Sequence, residues 1–244
     1  ELPDGHPGAL AAEAVRTDAG ALLAALGDFT ARCSPPMEEP LELSFTAGAV
    51  TVQGWLPGLR RLGATDSPVR LAWEVGRFKQ KSRPHERLDR LAEPWITHLL
   101  ACAGGTPLTT HFICPEDKPE RGITPVVEWQ LPPLSRTAAA THLTTLLEAW
   151  NTGQQHPLPV TARTALAALE TEGSAKIDPA EAARKAYAGD GYQQAGERDG
   201  DPHLRRTFPE ADDLLGEAFD YWRDVLYRPL FRAARPPADE EVAT

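Results

Sequence analysis

The sequence is poor in cysteine and methionine, and it has no long apolar run. Its three cysteines, Cys33, Cys102 and Cys114, are odd in number and share no zinc-ligand spacing. They are therefore predicted to be buried free thiols of a reducing compartment, and neither a disulfide framework nor a zinc site is expected. No apolar stretch approaches the roughly 20 residues that a membrane-spanning helix needs. Because the chain begins at Glu1 and its only methionine is Met37, we expect a piece of a longer soluble protein.

Positive charge is also in deficit. The chain carries 25 Lys and Arg against 35 Asp and Glu, a net charge of -10, which argues against a domain coated by DNA. The deficit is uneven, however, because the window from Arg60 to Arg90 holds nine Lys and Arg against four Asp and Glu. A basic run within it is either a solvated entrance to a helix or an edge that touches phosphates; its candidate DNA-binding residues are Arg77, Lys79, Lys81, Arg83 and Arg87.

Several chemistries have no motif in this chain. There is no nucleophile elbow, no phosphate-cradling glycine loop and no dinucleotide fingerprint. The glycine-rich, acidic stretches 189–191 and 196–199 could hold a divalent ion, but they lack the calcium-loop ligand order, so a solvated loop is favoured. His98, His111 and His142 are interpreted as satisfied core or boundary histidines. The six tryptophans are expected to be mostly core, and one exposed beside the basic run could stack on single-stranded bases.

What is present is a pattern typical of a mixed α/β fold. Glycine-bounded alanine and leucine at helical spacing predict a first helix over 8–27. Alternating apolar residues then predict strands, and a second helix lies between the third strand and the fourth. The predicted strands are Leu41–Ala47, Val50–Leu62, Val69–Val75, Leu108–Cys114 and Val126–Leu131, and the second helix is Arg87–Ala103.

The rest of the chain is predicted to be helical and to complete one domain. Ser135 is expected to cap the helix that follows the sheet, since serine is a preferred N-cap residue. Residues 188–202 are predicted to form a loop. The helices are expected at 135–150, 162–172, 179–187 and 208–231. We therefore predict a single domain over 1–235, with a sheet core at 41–131 and a helical part at 135–231. Residues 236–244 are predicted to form a disordered tail.

The second and third predicted strands resemble those that carry the active site of PD-(D/E)xK nucleases. In such enzymes an acid on one strand, and an acid-x-Lys on the next, hold Mg²⁺ or Mn²⁺ and polarise the attacking water. At the matching positions this chain has Pro57, Ala72 and Glu74. Proline and alanine offer no oxygen ligand, and a carboxylate cannot replace an ammonium. The sequence therefore predicts a degenerate nuclease-like core with no catalytic residue and no metal.

An active metal nuclease with relocated acids stays open as an alternative. Glu42, Glu74 and Glu128 all lie on predicted strands, and at least two would have to converge on one ion. The simpler interpretation of Glu74 is an ion pair with Arg70 or Arg77 at the strand end.

Several ordered segments resemble the C-terminal domain of RecC, the gamma chain of exodeoxyribonuclease V. The resemblance covers most of the chain. The segments are GWLPGLRRL, LAWEVG, WITHLLACAGG, LPPL, AWNTGQQHPLPV, KAYAGDGYQQAGERDGDPHLRRTF and YRPLFRAAR.

The resemblance implies a nuclease-like fold that has lost its catalytic acids, in a cytoplasmic helicase–nuclease that processes DNA double-strand breaks. It implies that nuclease and ATPase sites lie on other subunits, and that this domain supports assembly with RecB and RecD and channels DNA strands. No cofactor is implied. A free module that binds single-stranded DNA is the third interpretation.

Overall fold

The chain folds as a mixed α/β structure in a computed structural model that describes residues 5–63, 67–78, 87–117, 123–191 and 195–234. The first element is helix α1, His6–Ala31. Its Leu22 and Phe29 are buried against Val69 and Ile113 of the sheet. The helix is longer than the predicted 8–27, because the contact of Phe29 with the sheet lies beyond Gly27, where a stop was expected.

A β-hairpin follows, made of strands β1, Leu41–Ala47, and β2, Val50–Leu56. The strands pair in antiparallel register from Leu41 opposite Leu56 to Ala47 opposite Val50. The turn uses Gly48 with a φ of 59°, a conformation that glycine adopts without steric cost. Even-numbered β2 residues face inward and odd-numbered ones outward, as the alternation predicted.

The main sheet has four strands in the order β3-β4-β5-β6. Strands β4 and β5 are parallel and the other neighbours are antiparallel. Parallel strands need a crossover, which a 3₁₀ turn, Leu88–Leu91, and helix α2, Ala92–Ala103, provide. The strands are β3, Arg60–Arg61, β4, Pro68–Trp73, β5, Thr109–Pro115, and β6, Val126–Leu131.

The predicted strand Val50–Leu62 is wrong as one continuous element. It stops at Leu56 and resumes at Arg60, and Gly58 between them has a φ of 72°. Proline removes a ladder donor and a positive φ leaves the β region, so Pro57 and Gly58 bend the chain. The hairpin consequently forms a separate two-stranded sheet, and β1 packs on α2 and on helix α3, Arg136–Gly153.

The main core lies between the hairpin, the inner face of the sheet and helices α2 and α3. It contains the fully buried Phe78, Leu91, Leu99, Leu108 and Ala139. Ser135 caps α3 as predicted, since its hydroxyl accepts a hydrogen bond from the Ala138 N–H at 3.2 Å. The thiols of Cys102 and Cys114 are buried and that of Cys33 is half-buried, and all three are free.

The C-terminal part is a set of short helices around Tyr187, which is fully buried. The predicted single helix 208–231 is wrong. It is divided by a capping box in which the Asp213 carboxylate accepts the Glu210 N–H at 2.8 Å, and again at Gly216. The elements are α4, Ala162–Thr171, α5, Pro179–Ala188, α6, Glu197–Gly200, α7, Pro202–Thr207, α8, Ala211–Leu214, α9, Glu217–Trp222, a π-helical segment, Arg223–Tyr227, and α10, Arg228–Ala233.

None of the helices in the described ranges is both long and apolar enough to cross a membrane. The predicted disordered tail, 236–244, lies outside the described residues.

Candidate nucleic-acid interface at the carboxyl edge of the sheet

The parallel strands β4 and β5 end at the same edge of the sheet. In open α/β sheets, ligands commonly bind outside the carboxyl ends of the strands. The chain leaves β4 here through Glu74, toward the basic run, and it leaves β5 through Glu116. Glu74 and Arg77 therefore lie just beyond the carboxyl end of β4.

Phe78 anchors the base of the basic run. Its side chain is fully buried and stacks on Trp129, with ring centroids 5.0 Å apart. Its N–H donates to the carbonyl of Pro115 at 2.7 Å, and its carbonyl accepts the N–H of Arg87 at 3.0 Å. Phe78 and Arg87, which flank residues 79–86 in the sequence, are thereby held together at the sheet edge. Lys79, Lys81 and Arg83 lie outside the described residues.

Arg77 and Arg87, the described members of the basic run, both form ion pairs. The Arg77 guanidinium donates to Asp18 Oδ2 at 2.6 and 3.1 Å, and Asp18 Oδ1 accepts the Thr124 hydroxyl at 2.7 Å. Arg87 makes two bonds of 2.7 Å to Asp89, and this hydrogen bonding raises the pKa of Arg87. Both cations are thus engaged by carboxylates of the chain itself.

Of the three degenerate metal positions, Pro57 lies at the bend after β2, Ala72 lies on β4 and Glu74 directly follows β4. Pro57 is exposed directly after β2, and Ala72 is half-buried on β4, where it packs against the main core. The ladder between β3 and β4 pairs Arg60 with Val69. The ladder does not extend to Pro57, because Gly58, with a φ of 72°, bends the chain before β3 begins.

Glu74 forms an ion pair with Arg90, so the predicted partners Arg70 and Arg77 are wrong. Arg70 instead donates to Glu93 at 3.2 Å, at the start of α2. The Arg90 guanidinium lies against Gly76, in the space that a Cβ would occupy. Glycine at this position therefore permits the pair, which joins the end of β4 to the 3₁₀ turn.

The acids of the relocated-site alternative lie on different surfaces. Glu42 is on the exposed face of the hairpin. Glu128 accepts a hydrogen bond from His111 Nδ1 at 2.6 Å and lies 3.7 Å from Arg32 at the end of α1. The bond from His111 lowers the pKa of Glu128. Among the described residues, no group of three or more His, Cys, Asp or Glu could hold a metal ion.

His98 is a satisfied core histidine, as predicted. Its Nε2 donates to the Pro132 carbonyl and its Nδ1 accepts from the Thr110 hydroxyl, each at 3.1 Å. The carbonyl accepts only, so the neutral ring carries its proton on Nε2. Burial lowers the pKa of His98 to about 4. Burial also lowers the pKa of His142.

The expectation that the tryptophans are mostly core is wrong for half of them. Trp95 and Trp129 are buried, whereas Trp55, Trp73 and Trp150 are more than half exposed. Trp73 is the last residue of β4 and is 57% exposed, so it lies at the edge that leads to the basic run.

Sequence reasoning missed the role of Glu197. The glycine-rich, acidic stretch that contains it was predicted to be a loop, but it forms α6, and the Glu197 carboxylate caps the N-terminus of α4. It accepts the Thr161 hydroxyl at 2.6 Å and both the hydroxyl and the N–H of Thr164 at 2.9 Å. Gly196 lies against the Tyr187 carbonyl, where no Cβ fits. Glu197 is 36 residues from Thr161 in the sequence, so no local pattern predicts this cap. The one sequence feature consistent with a close contact here is Gly196, because glycine is common where two backbone segments approach closely.

The comparisons with known proteins give one family. The family model described as the RecC C-terminal domain matches residues 1–173. The match includes the sheet, α1 and the carboxyl edge, and it ends just after α4. No curated protein matches the chain.

Proposed function

Because the chain belongs to the RecC C-terminal domain family, we propose that it is a catalytically inactive, nuclease-like module that holds partner subunits and borders a DNA strand. RecC is the gamma subunit of the RecBCD helicase–nuclease, a complex that acts on DNA. The expected partners of this module are RecB, RecD and a DNA fork or single strand, in the cytoplasm, and no cofactor is needed.

The chemistry of the three degenerate positions supports the absence of cleavage. A nuclease of this type needs acids on two neighbouring strands that bind one divalent ion. The order of helix α1, strands β1 to β4, helix α2 and strand β5 supports a nuclease-like core, in which Pro57 lies at the bend before β3 and Ala72 lies on β4. Neither side chain has an oxygen, and Glu74 is neutralised by Arg90. This combination is the observation that carries the proposal.

Contact with DNA would depend on Lys79, Lys81 and Arg83. Arg77 and Arg87 already pair with Asp18 and Asp89, so their role is to hold the base of the segment. The exposed ring of Trp73 offers a surface on which an unpaired base could stack, which favours a single strand over a duplex.

A cleavage assay tests the inactive character. The chain is incubated with single- and double-stranded DNA in Mg²⁺ or Mn²⁺, and the expected result is intact DNA. Cleavage that persists through purification and disappears in Glu74→Ala would refute the proposal and favour an active nuclease. Pull-down of the chain with RecB and RecD separately tests the scaffold role, and retention of neither subunit would contradict it.

A further inference from the structure

Strand β2 has an open edge. The hairpin sheet has only two strands, so one side of β2 pairs with β1 and the other has no strand partner in the described part of the chain. After the bend at Pro57 and Gly58, the chain continues as β3. The side of β3 that corresponds to the open side of β2 pairs with β4. Divergence of β2 from the main sheet therefore leaves a seven-residue edge, Val50–Leu56, without a neighbour.

The backbone groups at this edge are identified by the register. A two-residue turn closes on a hydrogen-bonded pair, here Ala47 and Val50, and such pairs alternate with non-hydrogen-bonded ones. The hydroxyls of Thr46 and Thr51, 3.0 Å apart, agree with a close, non-hydrogen-bonded pair. The N–H and C=O groups of Thr51, Gln53 and Trp55 consequently point away from β1. Within the described residues, no backbone bond satisfies them.

The edge lacks the features that normally protect an exposed strand. Edge strands are usually short, charged, bulged or interrupted by proline. β2 has no charged residue and no proline over its seven residues, its pairing with β1 is regular, and Trp55 is 70% exposed. The opposite edge differs, because β1 contains Glu42 and follows Glu38, Glu39 and Pro40.

We propose that the open edge of β2 binds an extended segment of a partner subunit, which adds a third strand to the hairpin sheet. This inference rests on the proposed function, since it takes the partner to be RecB or RecD. It gives the scaffold role a defined surface: three pairs of backbone groups, at Thr51, Gln53 and Trp55, that a partner strand would satisfy.

The side chains of the hairpin define the chemistry of that segment. Its inward-facing residues would be apolar, because the inward face of β2 carries Val52 and Leu56 against the main core. A large side chain of the partner segment would fit opposite Gly54, because no atom lies within 4 Å of the position that a Cβ would occupy there. Aromatic residues are known to cover edge glycines in this way. Basic residues would suit its outward face, because the outer face holds Glu42 and the chain has a net charge of -10.

A second copy of this chain fits the edge less well. Two β2 edges would leave two unfilled Gly54 positions, because the inward face of β2 has no aromatic residue to place there. Two chains of net charge -10 would also repel each other. A partner strand with aromatic and basic residues avoids both problems.

Amide hydrogen exchange read at single residues tests the proposal. The full chain is labelled alone and after assembly with RecB and RecD, then analysed by mass spectrometry with electron-transfer fragmentation. We expect exchange at Thr51, Gln53 and Trp55 to be fast in the free chain and slowed by about tenfold or more in the complex. Val52 and Gly54, already paired with β1, should change much less. This alternation is the signature of an added strand.

Matched proline variants give a second measurement. Gln53→Pro removes one amide from the open edge of β2, and Ser44→Pro removes one from the opposite edge of β1. We expect Gln53→Pro to weaken subunit binding about tenfold and Ser44→Pro to leave it unchanged. Circular dichroism checks that both variants fold; if Gln53→Pro does not, the exchange pattern of the unmodified chain decides.

The outcomes separate this inference from the proposed function. If the complex forms while the amides of Thr51, Gln53 and Trp55 still exchange fast, the proposed binding at the β2 edge is wrong and the scaffold role is unaffected. Failure to assemble with either subunit overturns both. Protection at these amides that rises with the concentration of the isolated chain, together with a dimer in sedimentation, would assign the edge to a second copy and overturn the proposed occupant.

Discussion

At the scale of single residues, the buried His98 and the half-buried Glu197 join elements of the fold. His98 links α2 to β5 and to the residue after β6, and Glu197 links α6 to α4. Such groups are costly when left unpaired, so their partners are as important as their own identity. His98 and Glu197 therefore contribute to the stability of the fold.

The neutral state of His98 predicts that acid destabilises the fold. Its pKa is about 4 in the folded protein against 6.5 for an exposed histidine, so the unfolded state binds more protons between these values. Stability should thus be full above about pH 6.5 and fall as the pH drops toward 4, by about 3 kcal/mol in total. Urea unfolding across this range measures the change.

The control for this prediction removes the titrating ring. His98→Gln should be less stable at neutral pH, because the bonds to Thr110 and Pro132 are disturbed, but its stability should depend less on pH between 6.5 and 4. His156→Gln, at an exposed position, controls for the substitution itself. Equal pH dependence in the unmodified and His98→Gln proteins would show that His98 is not responsible.

Gly196 provides a second residue-level prediction. A Cβ at Gly196 would overlap the Tyr187 carbonyl and displace Glu197 from the N-terminus of α4, so Gly196→Ala should cost about 2 to 4 kcal/mol of unfolding free energy. Gly200→Ala is the matched control at the other end of α6, where nothing lies within 4 Å, and it should stay within about 0.5 kcal/mol. Similar urea midpoints for the two variants would contradict this reasoning.

At the scale of elements, local signals predicted most of the structure of the sheet. β1 and β6 have their predicted bounds, because alternation and turn residues set them. The strand that was predicted to run to Leu62 ends at Leu56, because Pro57 and Gly58 break it even though apolar residues recur at Leu59 and Leu62. The division of 208–231 was missed for the same reason: apolar spacing persists across a capping box.

The attachment of α1 depends on Asp18, which gives an element-level prediction. The carboxylate accepts bonds from Arg77 and Thr124, on the two chain segments that leave the carboxyl edge. Asp18→Ala should cost about 1 to 3 kcal/mol and speed amide exchange near both residues. Asp28→Ala, at an exposed position of the same helix, should change neither quantity. Unchanged exchange at 75–78 in Asp18→Ala would show that the pair does not hold the edge.

At the scale of the whole molecule, charge is distributed unevenly along the chain. The net charge is -10, but the basic run is concentrated in the sequence between β4 and α2. The sequence predicts this basic run and the degenerate positions, because both predictions depend on residue type alone. It could not identify which cations are free, since the pairing of Arg77 with Asp18 joins residues 59 positions apart. The open edge of β2 likewise depends on three-dimensional divergence that no local pattern records.

The charge distribution predicts weak, salt-dependent binding of single-stranded DNA that depends on the basic run. Each neutralised phosphate contributes a slope of about -0.7 in log affinity against log salt concentration for single strands. Lys79→Ala combined with Lys81→Ala should therefore weaken binding at low salt and make the slope shallower by about 1.4. Lys176→Ala combined with Lys185→Ala removes the same charge from the C-terminal helical part and is the matched control. Fluorescence anisotropy with a labelled oligonucleotide, over a series of salt concentrations, measures both quantities. If the two double variants lose affinity equally, binding reflects net charge alone and the carboxyl edge is not the DNA-contacting surface.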